Sequence, residues 1–321
     1  MVPAALDCAG PHPTTGGMDA PIGRERAIRA ALAHQAYATD RVRLGATDLR
    51  GFECLVASRH GLFAAHRHGA QLVSHGFFFG LHRHGDTVLL FEACDVPSTA
   101  SARGRIVALT LVDEHIVGAH VIARGLDNEC HQLAVIDDLI CLVDTANQVI
   151  RRFALDGTPL DVRAPLAPVR RGAGGADYHH INSIARVRGD VVLMLHNGAD
   201  DAQRPSALAW LDPDWAVRRI APLAGYGCHD IVEDAAGVLW HCGSRDGELL
   251  RSDGPPIRVS ARMTRGLALG RDGLIVGTSV LGPRAQRTEL SGSVIFLDRE
   301  HRPISEIALA GAPTDIIAID G

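Results

Sequence analysis

The feature that most constrains this chain is a short unit that recurs along it. A polar residue is followed by a small or polar residue and then by Leu or Ile opening an apolar segment. The copies are His131-Gln132-Leu133, Asn182-Ser183-Ile184, His229-Asp230-Ile231, Arg265-Gly266-Leu267 and Thr314-Asp315-Ile316. Most copies run on through a turn into a second and third apolar segment, often across an Asp-Gly turn. A period of roughly 40 to 50 residues made of short strands is the spacing of four-stranded propeller blades.

The ends of the chain fit the same pattern. The last copy has a first strand and then stops, whereas residues 53–65 read as a second and third strand with no first and align with residues 239–251. The C-terminal strand is therefore expected to complete the N-terminal blade, which leaves no open sheet edge. Adding the apolar strands between His75 and Gly125 gives six blades, with five or seven as the alternative counts. The expected fold is all-β: a six-bladed β-propeller over residues 49–321, preceded by a segment, residues 1–48, with one helix over Arg24–Ala36. A β-sandwich or two-domain β protein is the structural alternative. An α/β enzyme would need helices of about ten or more residues between strands, and the sequence lacks them.

Composition narrows the function. A chain of 321 residues, 46% hydrophobic and 21% charged, buries a full core. A net charge of -5 and only 4% aromatic residues argue against a nucleic-acid surface. No Lys occurs, so a Schiff-base lysine, a Lys-bearing phosphate loop and a Ser-Lys dyad are excluded. Met1 to Gly17 lacks the pattern of a signal peptide, and no apolar run reaches the length of a membrane span. A cytoplasmic protein with no membrane partner is the expectation. The seven cysteines are spread apart with no Cys-x-x-Cys pair and read as free thiols.

Seventeen histidines remain to be sorted. Arg59-His60-Gly61, Arg67-His68-Gly69 and Arg83-His84-Gly85 fall where other blades carry turns, and with His66 and His82 they read as surface. The first polar residue of each repeat is different, because in a propeller the starts of the innermost strands converge on one mouth of the central channel. His131, Asn182, His229, Arg265 and Thr314 are thus expected to meet there. His180 lies two residues ahead of Asn182, and His75 precedes Phe77 by the same offset, so both should overhang that mouth. Asp144, His196 and Asn197 end second strands nearby.

Several imidazoles at one opening suit zinc, copper or iron, whereas calcium would want oxygens. The expected metal ligands are His75, His131, His180, His229 and Asn182. Asp230, Arg265 and His196 are the catalytic candidates: Asp230 to orient an imidazole or act as base, Arg265 to bind a carboxylate or stabilise an oxyanion. The alternative is that polar side chains line the channel and bond to trapped water. Thiolate ligation by Cys130 or Cys228 is disfavoured, since alternate residues on a strand face opposite ways.

The Asp-Gly turns and the strand pair Leu139-Ile140-Cys141-Leu142-Val143-Asp144-Thr145-Ala146-Asn147-Gln148-Val149-Ile150 resemble the NHL and gluconolactonase-like six-bladed propellers. In the latter family the metal ligands include an Asn or Asp just before a Gly-Leu-like pair opening an inner strand, and the matching positions here are His131, Asn182 and His229. Two of the three are His where that family has oxygen ligands, so the resemblance implies a transition metal in place of calcium. The expected function is metal-dependent hydrolysis of a small lactone, ester or amide. Oxidative chemistry on copper or iron is one alternative, and a non-catalytic ligand- or protein-binding propeller is the other.

Overall fold

A computed structural model describes residues 19–97, 99–172, 177–199, 202–280, 282 and 290–319. Helix α1 (Asp19–Thr39) is longer at both ends than the stretch expected from sequence. Blade 1 then begins with β1 (Cys54–Ser58), β2 (Gly61–His66) and β3 (Gly69–His75). Blade 2 is β4 (Phe77–His84), β5 (Thr87–Ala93), β6 (Gly104–Val112) and β7 (His115–Leu126), and blade 3 is β8 (Leu133–Ile136), β9 (Leu139–Asp144), β10 (Val149–Ala154) and β11 (Pro159–Arg163). Blade 4 comprises β12 (Ile181–Val187), β13 (Asp190–Leu195), β16 (Ala207–Leu211) and β17 (Val217–Pro222), with a small hairpin, β14 (Gly198–Ala199) and β15 (Ala202–Gln203), inserted after β13. Blade 5 is β18 (His229–Glu233), β19 (Leu239–Gly243), β20 (Glu248–Arg251) and β21 (Ile257–Arg258), and blade 6 is β22 (Met263–Leu269), β23 (Leu274–Ser279), β24 (Gly292–Leu297) and β25 (Pro303–Leu309).

The final strand, β26 (Pro313–Ala318), pairs antiparallel with β1 as the inner strand of blade 1, with Ile316 opposite Val56. The protein is therefore an all-β, six-bladed propeller closed by its own C-terminal strand, as the repeats implied. Strands such as β1, β16, β19 and β24 are buried at every residue because each sheet is covered on both faces by its neighbours.

The core is accordingly split into six apolar layers, one between each pair of blades. The layer closing the ring, between blades 6 and 1, joins Cys54, Val56, Phe63 and Ile316 to Ala268, Val294 and Phe296, all buried. Closure thus rests on the same close packing as the other five interfaces.

A second device ties the inner strands together around the axis. The Gln132 amide oxygen accepts from the Ile184 N–H at 3.1 Å, Ser183 Oγ from the Asp230 N–H at 3.0 Å, and Asp230 Oδ2 from the Gly266 N–H at 2.9 Å. Asp315 Oδ2 accepts from the Leu81 N–H at 2.8 Å. Each bond runs from one blade to the next, satisfying main-chain donors that the bulged inner strands leave unpaired. Gly80 is the closest approach in this ring: a Cβ there would lie 2.7 Å from the His131 carbonyl oxygen and 2.8 Å from the Leu133 nitrogen.

Helix α1 is held to blade 2 by a buried arginine that is itself ion-paired within the blade. Arg105, 1% exposed, bonds Glu92 at 2.7 Å and also donates to the Ala36 and Arg41 carbonyls at the C-terminal end of the helix. Ala33 packs beside Phe77 and Phe91 in the layer between blades 2 and 3.

Candidate functional site

The inner strands start, and the second strands end, on one face of the ring. On that face four imidazoles follow one another in an arc across blades 3, 4 and 5. His131 lies 5.6 Å from His180 between ring centroids, His180 stacks on His196 at 4.6 Å, and His196 meets His229 edge-on at 5.2 Å. These four residues lie far apart in sequence, and the expectation that the fold brings them together holds. His180 is placed by a left-handed backbone, φ 53°, one residue before β12. His196 follows the last residue of β13, and its N–H bonds the His180 carbonyl.

Two of the imidazoles are pinned in a definite tautomer. His131 Nδ1 is 2.9 Å from the Glu129 carbonyl oxygen, and His229 Nδ1 is 2.8 Å from the Gly227 carbonyl oxygen and 2.9 Å from Ser244 Oγ. A carbonyl oxygen only accepts, so Nδ1 carries the hydrogen and Nε2 keeps its lone pair. Burial, followed by the positive charge of Arg265, holds His131 and His229 well below the usual imidazole value; burial and the neighbouring His196 and His131 do so for His180. All three are neutral at neutral pH.

The other half of the mouth is cationic. Arg265 opens the unit of blade 6, and Arg59 follows β1 in the adjoining blade 1. Between Arg59 and the arc stands Phe79 on blade 2, whose ring is 5.6 Å from the Arg59 guanidinium carbon and 5.7 Å from the His131 ring. Arg171, which also acts on His131, is paired with Glu129 at 2.8 Å.

Other expected site residues fall elsewhere. His75 ends β3, the outermost strand of blade 1, and is exposed; it lines a cleft of about 40 Å³ with Arg29 and Glu92, apart from the arc. Phe79, two residues beyond Phe77, opens the unit of blade 2 and stands at the mouth. The β4–β5 hairpin turns in two residues, Gly85 and Asp86, whereas β22 and β23 are joined by four, so aligning the two blades by their Arg-x-Gly turns shifts the strand register by two.

Asn182 is 2% exposed and donates to the Cys228 carbonyl at 2.9 Å, bracing blade 4 against blade 5; Thr314 does the same between blades 1 and 2 through the Phe78 carbonyl. Asp230 lies one layer beneath the mouth, bonded to the Gly266 N–H, with φ 64°. Asp144 is wholly buried against Arg151 and Asn147.

Cys130 and Cys228 are buried thiols, both pushed up chiefly by burial, Cys228 to about 11. Of the residues read as surface, His82 is half-buried and burial holds it at about 4. Arg59-His60-Gly61 is a turn, but on the mouth face and partly buried. Arg59 and Phe79 escaped the sequence reading, although Arg59 ends a second strand as His196 does.

The arc offers neutral nitrogen donors with the anchored Nδ1–H that metal-bound histidines show. Its disposition is less favourable. Among the described residues no three His, Cys, Asp or Glu side chains are placed to hold a metal ion together.

The fold and mouth define a six-bladed propeller with a histidine- and arginine-lined channel entrance. No family model matches the sequence, and no curated protein matches it. Among solved structures, the nidogen chain of a nidogen/laminin complex is similar in fold, with a TM-score of 0.58 and 13% identity over 84% of this chain and 98% of that one. A protein of unknown function from Bacteroides caccae matches with a TM-score of 0.54 and 10% identity over 84% and 99%. A propeller provisionally assigned as a gluconolactonase matches with a TM-score of 0.51 and 10% identity over 86% and 89%. At such identities the likeness concerns the fold.

Proposed function

We propose that the channel mouth is the active site of a hydrolase acting on a small ester or lactone. One observation carries this reading: His229, neutral and 7% exposed, is fixed through Nδ1 by an acceptor-only oxygen, with a permanent guanidinium, Arg265, acting on it. An oriented imidazole with a bare Nε2 is a general base. His229 Nε2 takes a proton from water as the water oxygen bonds to the substrate carbonyl carbon. Charge developing on the carbonyl oxygen is met by Arg265. On collapse the C–O bond to the leaving group breaks, and the departing alkoxide recovers the proton from Nε2.

A metal-dependent form of the same reaction is the second reading, favoured by the anchoring of both His131 and His229. Those two, with His180 or His196, are the residues that would hold a zinc, copper or iron ion. When bound, such an ion would supply Lewis-acid activation of water.

The test is turnover of p-nitrophenyl acetate and δ-valerolactone by purified protein, with metal content measured on the same sample. We expect hydrolysis that falls by about a hundredfold or more in His229→Ala, with unchanged circular dichroism. Turnover that survives this substitution, or none with either substrate, refutes the hydrolase. One equivalent of metal, lost in both His131→Ala and His229→Ala, selects the metal-dependent form.

A further inference from the structure

Two of the mouth imidazoles share one kind of anchor, the carbonyl two residues back in the chain: Glu129 for His131 and Gly227 for His229. His229 has a second. Ser244 Oγ lies 2.9 Å from the same Nδ1, whereas among the described residues no side chain bonds Nδ1 of His131. Ser244 reaches the ring from a different element: it follows the last residue of β19, opens the short turn Ser244–Asp246, and is 1% exposed. That turn is itself wedged in place. Gly247 closes it at φ 66°, and a Cβ there would lie 2.2 Å from the Ser260 carbonyl oxygen.

Nδ1 carries one hydrogen, and the Gly227 carbonyl can only accept it, so Ser244 Oγ is a second acceptor of a shared N–H. An imidazole bonded to one oxygen can rock about that bond. Two oxygens from separate elements fix the ring plane, and with it the direction of the Nε2 lone pair.

We propose that Ser244 is the positioning residue of His229, holding its ring in the tautomer and orientation that a general base requires. This rests on the reading of the mouth as a hydrolase site and adds a member to its machinery. When Nε2 takes the proton from water the ring becomes a cation, and the shared Nδ1–H becomes a charge-assisted donor to both oxygens. Ser244 is too buried to meet the ester, so it acts through the ring alone.

A double-mutant cycle on p-nitrophenyl acetate hydrolysis tests this. We expect Ser244→Ala to lower kcat by about tenfold with KM unchanged, and to have no further effect in the His229→Ala background. An unchanged kcat in Ser244→Ala, or the same loss in both backgrounds, overturns the inference and leaves the hydrolase standing. If the native protein turns over no ester, the hydrolase reading fails, and long-range proton–nitrogen NMR spectra of labelled protein decide whether Ser244 pins the ring. The Nδ1–H signal of His229, identified by its absence from His229→Ala, should exchange with water about tenfold faster or more in Ser244→Ala, while that of His131 keeps its rate. A His229 signal unmoved by the substitution overturns the inference.

Discussion

Replacing Asp230 with Asn tests the electrostatics beneath the mouth. Asp230 and Asp315 are 2% and 3% exposed and belong to the same ring of inter-blade hydrogen bonds, and their charges repel. Burial raises the Asp230 carboxyl from 3.8 to about 6. The folded state thus binds the proton more tightly than the unfolded chain, so this group's contribution is greatest below 3.8 and is lost as pH rises through 6. At pH 8 the penalty on the charged form is about 3 kcal/mol, at pH 5 roughly half of that, and near pH 3 it vanishes. Asn keeps an oxygen for the Gly266 N–H but carries no charge. Asp230→Asn should therefore be more stable than the native protein by up to about 3 kcal/mol at pH 8, with the gain shrinking to nothing in acid. Urea unfolding at pH 8, 5 and 3.5 measures it. A variant that is less stable at pH 8, or whose advantage does not change with pH, would show that these carboxyls are not buried together as described.

Three further outcomes follow from named contacts. Arg105→Leu strands the Glu92 carboxylate and removes two bonds to the end of α1, at a cost of about 3 to 5 kcal/mol. Limited trypsin digestion should then cleave α1 faster, with part of the loss recovered in Glu92→Gln/Arg105→Leu; an unchanged cleavage rate counts against the pin. Gly80→Ala forces a methyl against the His131 and Leu133 main chain and should cost about 1 to 3 kcal/mol, read by thermal melting, with displaced His131 ring signals in NMR spectra. Because burial lowers His131, His180 and His229, their contribution to stability is present above 6.5 and lost as pH falls below it. His180→Gln should reduce the acid-side decline in urea midpoint between pH 7 and 5, and an unaltered slope would place that imidazole in water.

The architecture was legible because a propeller writes its symmetry into the chain. Period, turn chemistry and the missing first strand at residues 53–65 all point to one ring, and the pairing of β26 with β1 is the closure they require. What a repeat cannot convey is register within a blade. A two-residue difference in one hairpin moved the opening position of blade 2 from Phe79 to Phe77 and so set His75 over the mouth. Reading Arg59-His60-Gly61 as a surface turn was sound for local chemistry, but it missed that this turn lies on the mouth face of the ring. Asp230 was legible as a neighbour of His229 and illegible as a strut, because its partner, the Gly266 N–H, comes from another blade.

The repeat unit separates chemistry from closure. Its second position, Gln132, Ser183, Asp230 or Asp315, accepts a hydrogen bond from a main-chain N–H of the next blade and so holds the ring. Its first position faces the mouth in blades 2, 3, 5 and 6, as Phe79, His131, His229 and Arg265, whereas Asn182 and Thr314 serve as struts in blades 4 and 1. In those two blades the mouth is furnished instead from neighbouring turns, by His180 and His196 in one and Arg59 in the other. Chemistry at this entrance is set by seven side chains; substitutions at the His and Arg positions should alter binding and turnover well before they alter folding, whereas Phe79 also packs in the layer between blades 2 and 3 and should alter both.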